Sequence, residues 1–245
     1  MRVGAVIIGN EILSGKFADE NATFLIGALR RLGSELARIS VIPDVPDDIA
    51  DTVRRFSERF DAVFTSGGVG PTHDDVTVAG IARAFDTPII RHPELEATLR
   101  GFYGDAITDS HLRLAEVPDG CELVYGQAST RHPPWPVMRF RNVYILPGVP
   151  SLFRAKFESI EDLFRAAPVH TAQVFVGVDE ATFAPILDQV VREHATVAFG
   201  SYPRLEAVDF QVLVTVEGRD KGDVGRARKA FCAALGAHLV RFEGP

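Results

Sequence analysis

"TSGGVGPTHDDVT", residues 65–77, is the stretch on which the reading of this chain turns. It follows the apolar run "DAVF" and precedes the helical pattern "DVTVAGIARAF". Gly67, Gly68 and Gly70 permit positive φ and close backbone approach, and Pro71 stiffens the far side of the turn. Glycines between a strand and a helix leave backbone amides free to cradle a phosphate. Asp74 or Asp75 is expected to open the helix. A plain tight turn with one aspartate as N-cap accounts for the glycines equally well. The loop is neither a GxGxxG fingerprint nor a P-loop, because no lysine follows the glycines. The second aspartate tips the balance, since one suffices for a cap. Hard cations such as Mg²⁺ bind through one or two carboxylates plus substrate phosphate oxygens. Asp74 and Asp75 are therefore expected to hold a divalent metal, with Gly67, Gly68, Gly70 and Thr72 on the phosphate.

Outward from the loop, strand and helix patterns alternate. Val3 to Ile8 is a continuous apolar run of strand length. Residues 19–32 place Phe24, Leu25, Ala28, Leu29 and Leu32 at helical spacing, and Gly33 ends that helix. "SELARISVIP" reads as a second strand and residues 46–58 as a helix with Ile49, Val53 and Phe56 on one face. This order predicts an α/β domain with a three-layer, mostly parallel sheet. "HPELEATLRGFY" and "DSHLRLAEVP" read as helices and "CELVYG" as a short strand. "VMRFRNVYILPGVPSLF" reads as a β-hairpin turning at Asn142, then a helix running to about Ala166. A boundary falls near Pro168. Residues 1–167 form the α/β domain, and residues 168–245 follow the order βαββαβ of a small ferredoxin-like α+β module.

Ligands of parallel sheets sit outside the carboxyl ends of the strands. The loop after the first strand supplies Asn10, Glu11, Ser14 and Asp19 there. Glu11 and Asp19 are candidates for the metal shell, although Asp19 serves equally as a helix cap and Glu11 as a solvated charge. Asn10, Ser14 and His73 are expected to face the ligand. Gly148 and Pro150 of "LPGVPS" form either another anion-facing turn or a plain strand-to-helix turn. "RHPPWP", with Trp135, reads as a lid over a ring or as a loop packed by its own aromatic, and His132 reads as a surface residue. No Ser-His-Asp or Cys-His arrangement is readable.

Composition excludes some function classes. The 245 residues are 46% apolar and 24% charged, as expected of a folded domain. A net charge of −7 argues against nonspecific nucleic-acid binding. No apolar stretch is long enough to span a membrane, and the N-terminal run reads as a buried strand, not a signal peptide. Cys121 and Cys232 are the only cysteines and lack metal-type spacing. A cytoplasmic protein is expected.

Together "IGNEILSG", "DENA" and "SGGVGPTHDDVT" resemble the molybdopterin-binding family of molybdenum-cofactor biosynthesis, in its competence/damage-inducible protein A branch. "RHPELEA", "RNVYILPGVPSLF", "DEATFAPIL" and "GSYP" are similar, in the same order, to the N-terminal domain of eukaryotic FAD synthases. The resemblance implies a metal-bound phosphate or diphosphate on a nucleotide or pterin. It matches Asp75 to the aspartate tied to chemistry, Asp74 to its acidic neighbour and Arg113 to a basic residue able to clamp phosphate. The 245 residues contain no counterpart of the second catalytic domain of an FAD synthase or of the deamidase domain of the competence-protein branch. That branch favours Glu-Met where this chain has Leu152 and Phe153, which sets an ADP-ribose substrate behind FAD.

The expected function is thus a pyrophosphatase, dependent on Mg, Mn or Co, that cleaves FAD to FMN and AMP. The competing readings are an ADP-ribose pyrophosphatase and a non-catalytic pterin- or nucleotide-binding protein. Adenylyl transfer to a pterin is disfavoured by Asp74, where those enzymes often carry a basic residue. Relatives form closed homo-oligomers, so a homo-oligomer is expected, with a small-molecule ligand and neither nucleic acid nor membrane as partner.

Overall fold

The structure, a computed structural model, describes residues 1–126, 135–204 and 209–245. The chain divides into two compact units, Met1–Ala166 and Ala167–Pro245.

The first unit begins with β1 (Arg2–Ile8), the short helix α1 (Asn10–Leu13), α2 (Glu20–Arg31), β2 (Glu35–Ile42), α3 (Pro46–Arg59) and β3 (Ala62–Ser66). There follow α4 (Thr77–Ala84), β4 (Ile89–Arg91), α5 (Pro93–Tyr103), α6 (Asp109–Arg113) and β5 (Glu116–Pro118). It ends with β6 (Glu122–Val124), β7 (Val137–Phe140), β8 (Val143–Leu146) and α7 (Pro150–Ile160). Six strands form one sheet in the order β2-β1-β3-β8-β7-β6. The pairs β1–β2, β1–β3 and β3–β8 are parallel, and β8–β7 and β7–β6 are antiparallel.

Both faces of this sheet are covered, which is why β1 reads as an unbroken apolar run. Val6 and Ile8 of β1, Val63 of β3 and Val143 and Ile145 of β8 pack in one core with α3, α4 and α5. Their neighbours Val3, Ala5, Phe64, Tyr144 and Leu146 pack in the other with α2 and α7. The three-layer architecture follows from this alternation.

The connections place the site. The chain leaves β1 for α2 on one face, whereas it leaves β3 for α4 on the opposite face. A crevice therefore opens between neighbouring strands at their carboxyl ends, where open α/β sheets hold ligands.

The second unit comprises β9 (His170–Val176), α8 (Glu180–Glu193), β10 (Ala198–Pro203), β11 (Val212–Gly218), α9 (Lys221–Leu235) and β12 (Leu239–Glu243). Its antiparallel sheet runs β10-β11-β9-β12, the ferredoxin-like order. Phe183 of α8 and Phe231 of α9 are fully buried against it.

Three sequence expectations need correction. "DSHLRLAEVP" is only helical as far as Arg113; Glu116–Pro118 is a strand, because β4 offers it an antiparallel partner. The helix expected to reach Ala166 ends at Ile160 and passes into a 3₁₀ turn. That turn drops Phe164 into the core, where its ring lies 4.8 Å from Phe64 and 5.0 Å from Tyr144. Neither Asp74 nor Asp75 caps α4, whose N-cap is Val76. The reading of "RHPPWP" as a lid, and of His132 as a surface residue, lies outside the described residues, apart from Trp135 and Pro136; Trp135 packs against the first core. Among the described residues no helix is long and apolar enough to cross a membrane, and both cysteines are free thiols.

Lys156 of α7 is the most perturbed cation among the described residues. Its ammonium donates to the carbonyls of Trp135 at 2.6 Å and Pro136 at 2.9 Å. Burial lowers its pKa from 10.5 to about 8. The folded state thus releases the proton before the unfolded state does, so stability rises with pH between about 8 and 10.5. Relative to Lys156→Met, the wild type should gain about 2–6 °C in melting temperature from pH 7.5 to 10. Parallel melting curves across that range would show that the amine does not titrate there.

Candidate active site

The glycine loop is shaped by two contacts that leave no room for side chains. Gly67 has φ 103°, and a Cβ there would lie 2.2 Å from the Ile8 carbonyl oxygen at the end of β1. Gly68 has φ 64°, and a Cβ there would lie 2.4 Å from Thr77 Oγ1. Gly70 does not adopt positive φ; its missing side chain makes room for the Asp75 carboxylate instead. Gly148, from the turn after β8, approaches Gly67 closely enough that a Cβ would sit 3.2 Å from its Cα. The ends of β1, β3 and β8 thus converge on one point.

Thr77, fully buried at the start of α4, orients the loop. Its hydroxyl donates to the Gly67 carbonyl at 2.8 Å, and its backbone N–H donates to the Gly68 carbonyl at 2.9 Å. In a trans peptide the C=O and the following N–H point in opposite directions. Anchoring those two carbonyls therefore turns the N–H groups of Gly68 and Val69 away from Thr77. Neither these nor the Gly70 N–H finds an acceptor among the described residues. Unpaired amides beside a helix N-terminus attract anions.

These residues line a small cleft with Asp75, Val78, Arg113, Leu114, Glu116 and Met138. The Arg113 guanidinium reaches over the loop and donates to the Pro71 carbonyl at 3.0 Å. Arg113 and the free amides thus share one concavity.

The aspartates fold back into the loop. Asp75 Oδ2 accepts from the Thr72 backbone N–H at 2.8 Å and lies 2.5 Å from the Thr72 hydroxyl. Asp74 Oδ1 lies 2.5 Å from the same hydroxyl, which holds the Asp74 carboxyl below its usual pKa. This recruitment by Thr72 explains why neither aspartate caps α4. A hydroxyl carries one proton and serves one carboxylate at a time. The other carboxylate then faces a lone pair, an arrangement that a cation would relieve. The oxygen-rich pair fits a hard divalent ion whose remaining ligands are phosphate oxygens.

The other predicted residues are placed nearby or elsewhere. Asp19 is the N-cap of α2, accepting from Ala22 N at 3.0 Å. The Glu11 carboxylate folds over Gly9, where a Cβ would be 2.6 Å from Glu11 Oε1. Among the described residues no group of three or more His, Cys, Asp and Glu side chains converges on one point. Asn10 is exposed, and its backbone N–H donates to Asp44 Oδ2 at 2.8 Å. The Ser14 hydroxyl donates to the Glu11 carbonyl at 3.2 Å. His73 is exposed with Nδ1 3.9 Å from Asp74 Oδ1.

Sequence reasoning passes over Thr77, Glu116 and Asn21. Thr77 closes the quoted stretch, and a hydroxyl at a helix start could have flagged it. Glu116 falls in a stretch whose pattern predicts a helix. Asn21 lies within the quoted "DENA" but gains no role from it, because its partners are 45 and 127 residues away.

Residues 4–166 match the family described as probable molybdopterin binding domain. The chain belongs to this family. Residues 168–243 match the family described as FAD synthase, middle domain. A protein from Archaeoglobus fulgidus is 35% identical over 92% of this chain and 94% of its own length. A probable FAD synthase from Caenorhabditis briggsae is 31% identical over 97% of this chain. This chain spans about half the length of that relative, 50%. Among solved structures, the protein CinA from Thermoplasma acidophilum is 30% identical, with a TM-score of 0.59 over 68% of this chain and 100% of its own.

The packing at the strand ends can be tested directly. Gly67→Ala forces a Cβ against the Ile8 carbonyl at positive φ and should destabilise the protein by more than about 1 kcal/mol. Gly101→Ala, in α5 with nothing within 4 Å of its Cβ, should stabilise it by up to about 1 kcal/mol. Urea midpoints of the two variants decide between this packing and a loop indifferent to side chains.

Proposed function

We propose that this chain is a divalent-cation-dependent pyrophosphatase that cleaves the diphosphate of FAD, or of a related dinucleotide, to two mononucleotides. The observation that carries this reading is the shared cleft: outward amides of Gly68, Val69 and Gly70, the Arg113 guanidinium, and Asp75 beside Asp74. Amides and guanidinium suit phosphate oxygens, whereas paired carboxylates suit a cation. A diphosphate with its metal presents both. The match of the second unit to the middle domain of FAD synthase, and the relatives named as probable FAD synthases, support FAD as the nucleotide.

In this reading Asp74 and Asp75 hold the divalent ion, which supplies Lewis-acid polarisation of the diphosphate and eases deprotonation of water. Gly68, Val69 and Gly70 donate to phosphate oxygens, and Arg113 balances the charge that builds on them. Water adds to one phosphorus, the bridging oxygen leaves with the other, and a carboxylate at the loop takes the proton. FMN and AMP are the products from FAD.

A binding-only role has one observation in its favour. Among the described residues Asp74 and Asp75 belong to no group of three or more His, Cys, Asp or Glu side chains able to hold a metal ion, although Glu116 lines the same cleft as Asp75.

Purified protein should be incubated with FAD, ADP-ribose or NAD, each with Mg²⁺, Mn²⁺, Co²⁺ or EDTA, and the products separated by chromatography. The expected result is FMN plus AMP from FAD, abolished by EDTA. Asp75→Asn keeps an acceptor for the Thr72 N–H and should melt like wild type while losing about 100-fold or more in kcat. A fully active Asp75→Asn would overturn the assignment. A ligand-dependent rise in melting temperature without any product would establish the binding protein.

A further inference from the structure

Asn21, the second residue of α2, bridges two of the converging strand ends. Its Nδ2 donates to Ser66 Oγ, at the end of β3, at 2.9 Å. The same nitrogen donates to the Gly148 carbonyl, just after β8, at 2.7 Å. A carbonyl accepts only, so this contact fixes which end of the amide is nitrogen. The amide oxygen is then committed to the other side. It is buried and meets no donor among the described residues, and the residue is 5% exposed. A buried acceptor left unmet is a cost that the fold carries. The two N–H bonds tie together segments that a small apolar side chain could not.

What they join points to a role. Ser66 leads directly into Gly67, and Gly148 touches Gly67 on the other side. One amide group therefore ties the glycine loop to the β8–α7 turn beyond the last backbone bond between β3 and β8, the Gly67 N–H to the Leu146 carbonyl at 3.2 Å. Gly68 and Val69, whose amides Thr77 turns outward, follow Gly67 directly in the chain, so a shift of Gly67 would move them.

We infer that Asn21 is a positioning residue of the site, beside Thr77: through Ser66 and Gly148 it helps to fix where the glycine loop presents its amides to the phosphate. Asn21 itself touches neither metal nor phosphate. The inference deepens the pyrophosphatase reading and rests on it for its kinetic consequence, although the mechanical part stands without turnover.

Asn21→Asp is nearly isosteric and supplies the test. When ionised, the introduced carboxylate presents an oxygen where Nδ2 faces the Gly148 carbonyl, so repulsion replaces a hydrogen bond. Burial beside a carbonyl raises the pKa of such a carboxyl. Once protonated, its O–H can donate to the Gly148 carbonyl and restore one of the two bonds. At pH 8, kcat on FAD should fall about 10- to 100-fold with KM changed less than about threefold. The ratio of variant to wild-type kcat should then climb as pH falls towards 5.5. Parallel pH profiles, or a loss confined to melting temperature, would overturn the positioning role.

A second arm needs no substrate. Amide hydrogen exchange in segments 66–70 and 146–150 should quicken at pH 8 in Asn21→Asp and slow again at pH 5.5, each relative to wild type at the same pH. Unchanged exchange would show that Asn21 does not hold the loops. If wild type hydrolyses nothing but exchange responds as described, the pyrophosphatase reading fails while the mechanical inference survives.

Discussion

Two hydrogen bonds from Thr77 to the carbonyls of Gly67 and Gly68 set which way the glycine loop turns its amides. A peptide plane is rigid, so turning its carbonyl inward turns the next amide outward. The glycines permit the turn, but they do not choose its direction. Thr77 does, because it is fully buried at the first position of α4 and α4 is packed against the sheet. The loop's chemistry therefore depends on the placement of a whole helix. Gly67 is caught in addition between the Ile8 carbonyl and Gly148, so the loop has little freedom to relax if any one contact is lost.

This arrangement settles the apparent conflict between glycines and aspartates. Free amides favour an anion, and carboxylates repel one. The two sets occupy successive parts of one loop, with Thr72 gathering both carboxylates at 2.5 Å from its hydroxyl. On the proposed reading, the loop suits a phosphate that arrives with its cation better than it suits a bare anion. Arg113, reaching the loop from α6, adds the compensating charge from a different element.

Much of the fold was legible because its signals are local. Val3 to Ile8 declares a doubly covered strand by lacking alternation, and Gly33 marks the end of α2 through positive φ. The hairpin at Arg141 and Asn142 and the βαββαβ order of the second unit were readable for the same reason. The failures were cases where a distant partner decided. Glu116–Pro118 became a strand because β4 was there to pair with it, and β4 itself is only three residues long. The 3₁₀ turn after α7 exists because Phe164 finds a slot against Phe64 and Tyr144. Neither partner is visible from a local window.

The site divides along the same line. Glycines, aspartates and Arg113 were singled out by residue type and by resemblance to a family, and the cleft unites Gly68, Gly70, Asp75 and Arg113. Thr77 acts through two backbone carbonyls and Asn21 through one, besides the Ser66 hydroxyl, and a contact with a carbonyl leaves no mark on the identity of its partner. Gly148 could be any residue as far as its oxygen is concerned. Its identity is set by crowding against Gly67, a separate constraint. Residues whose own chemistry suits a ligand are thus written into the sequence, while residues that hold them in place are written only into the three-dimensional packing. On the Asn21 proposal, such a site keeps all its reactive groups and still fails through the loss of one amide that ties two loops together.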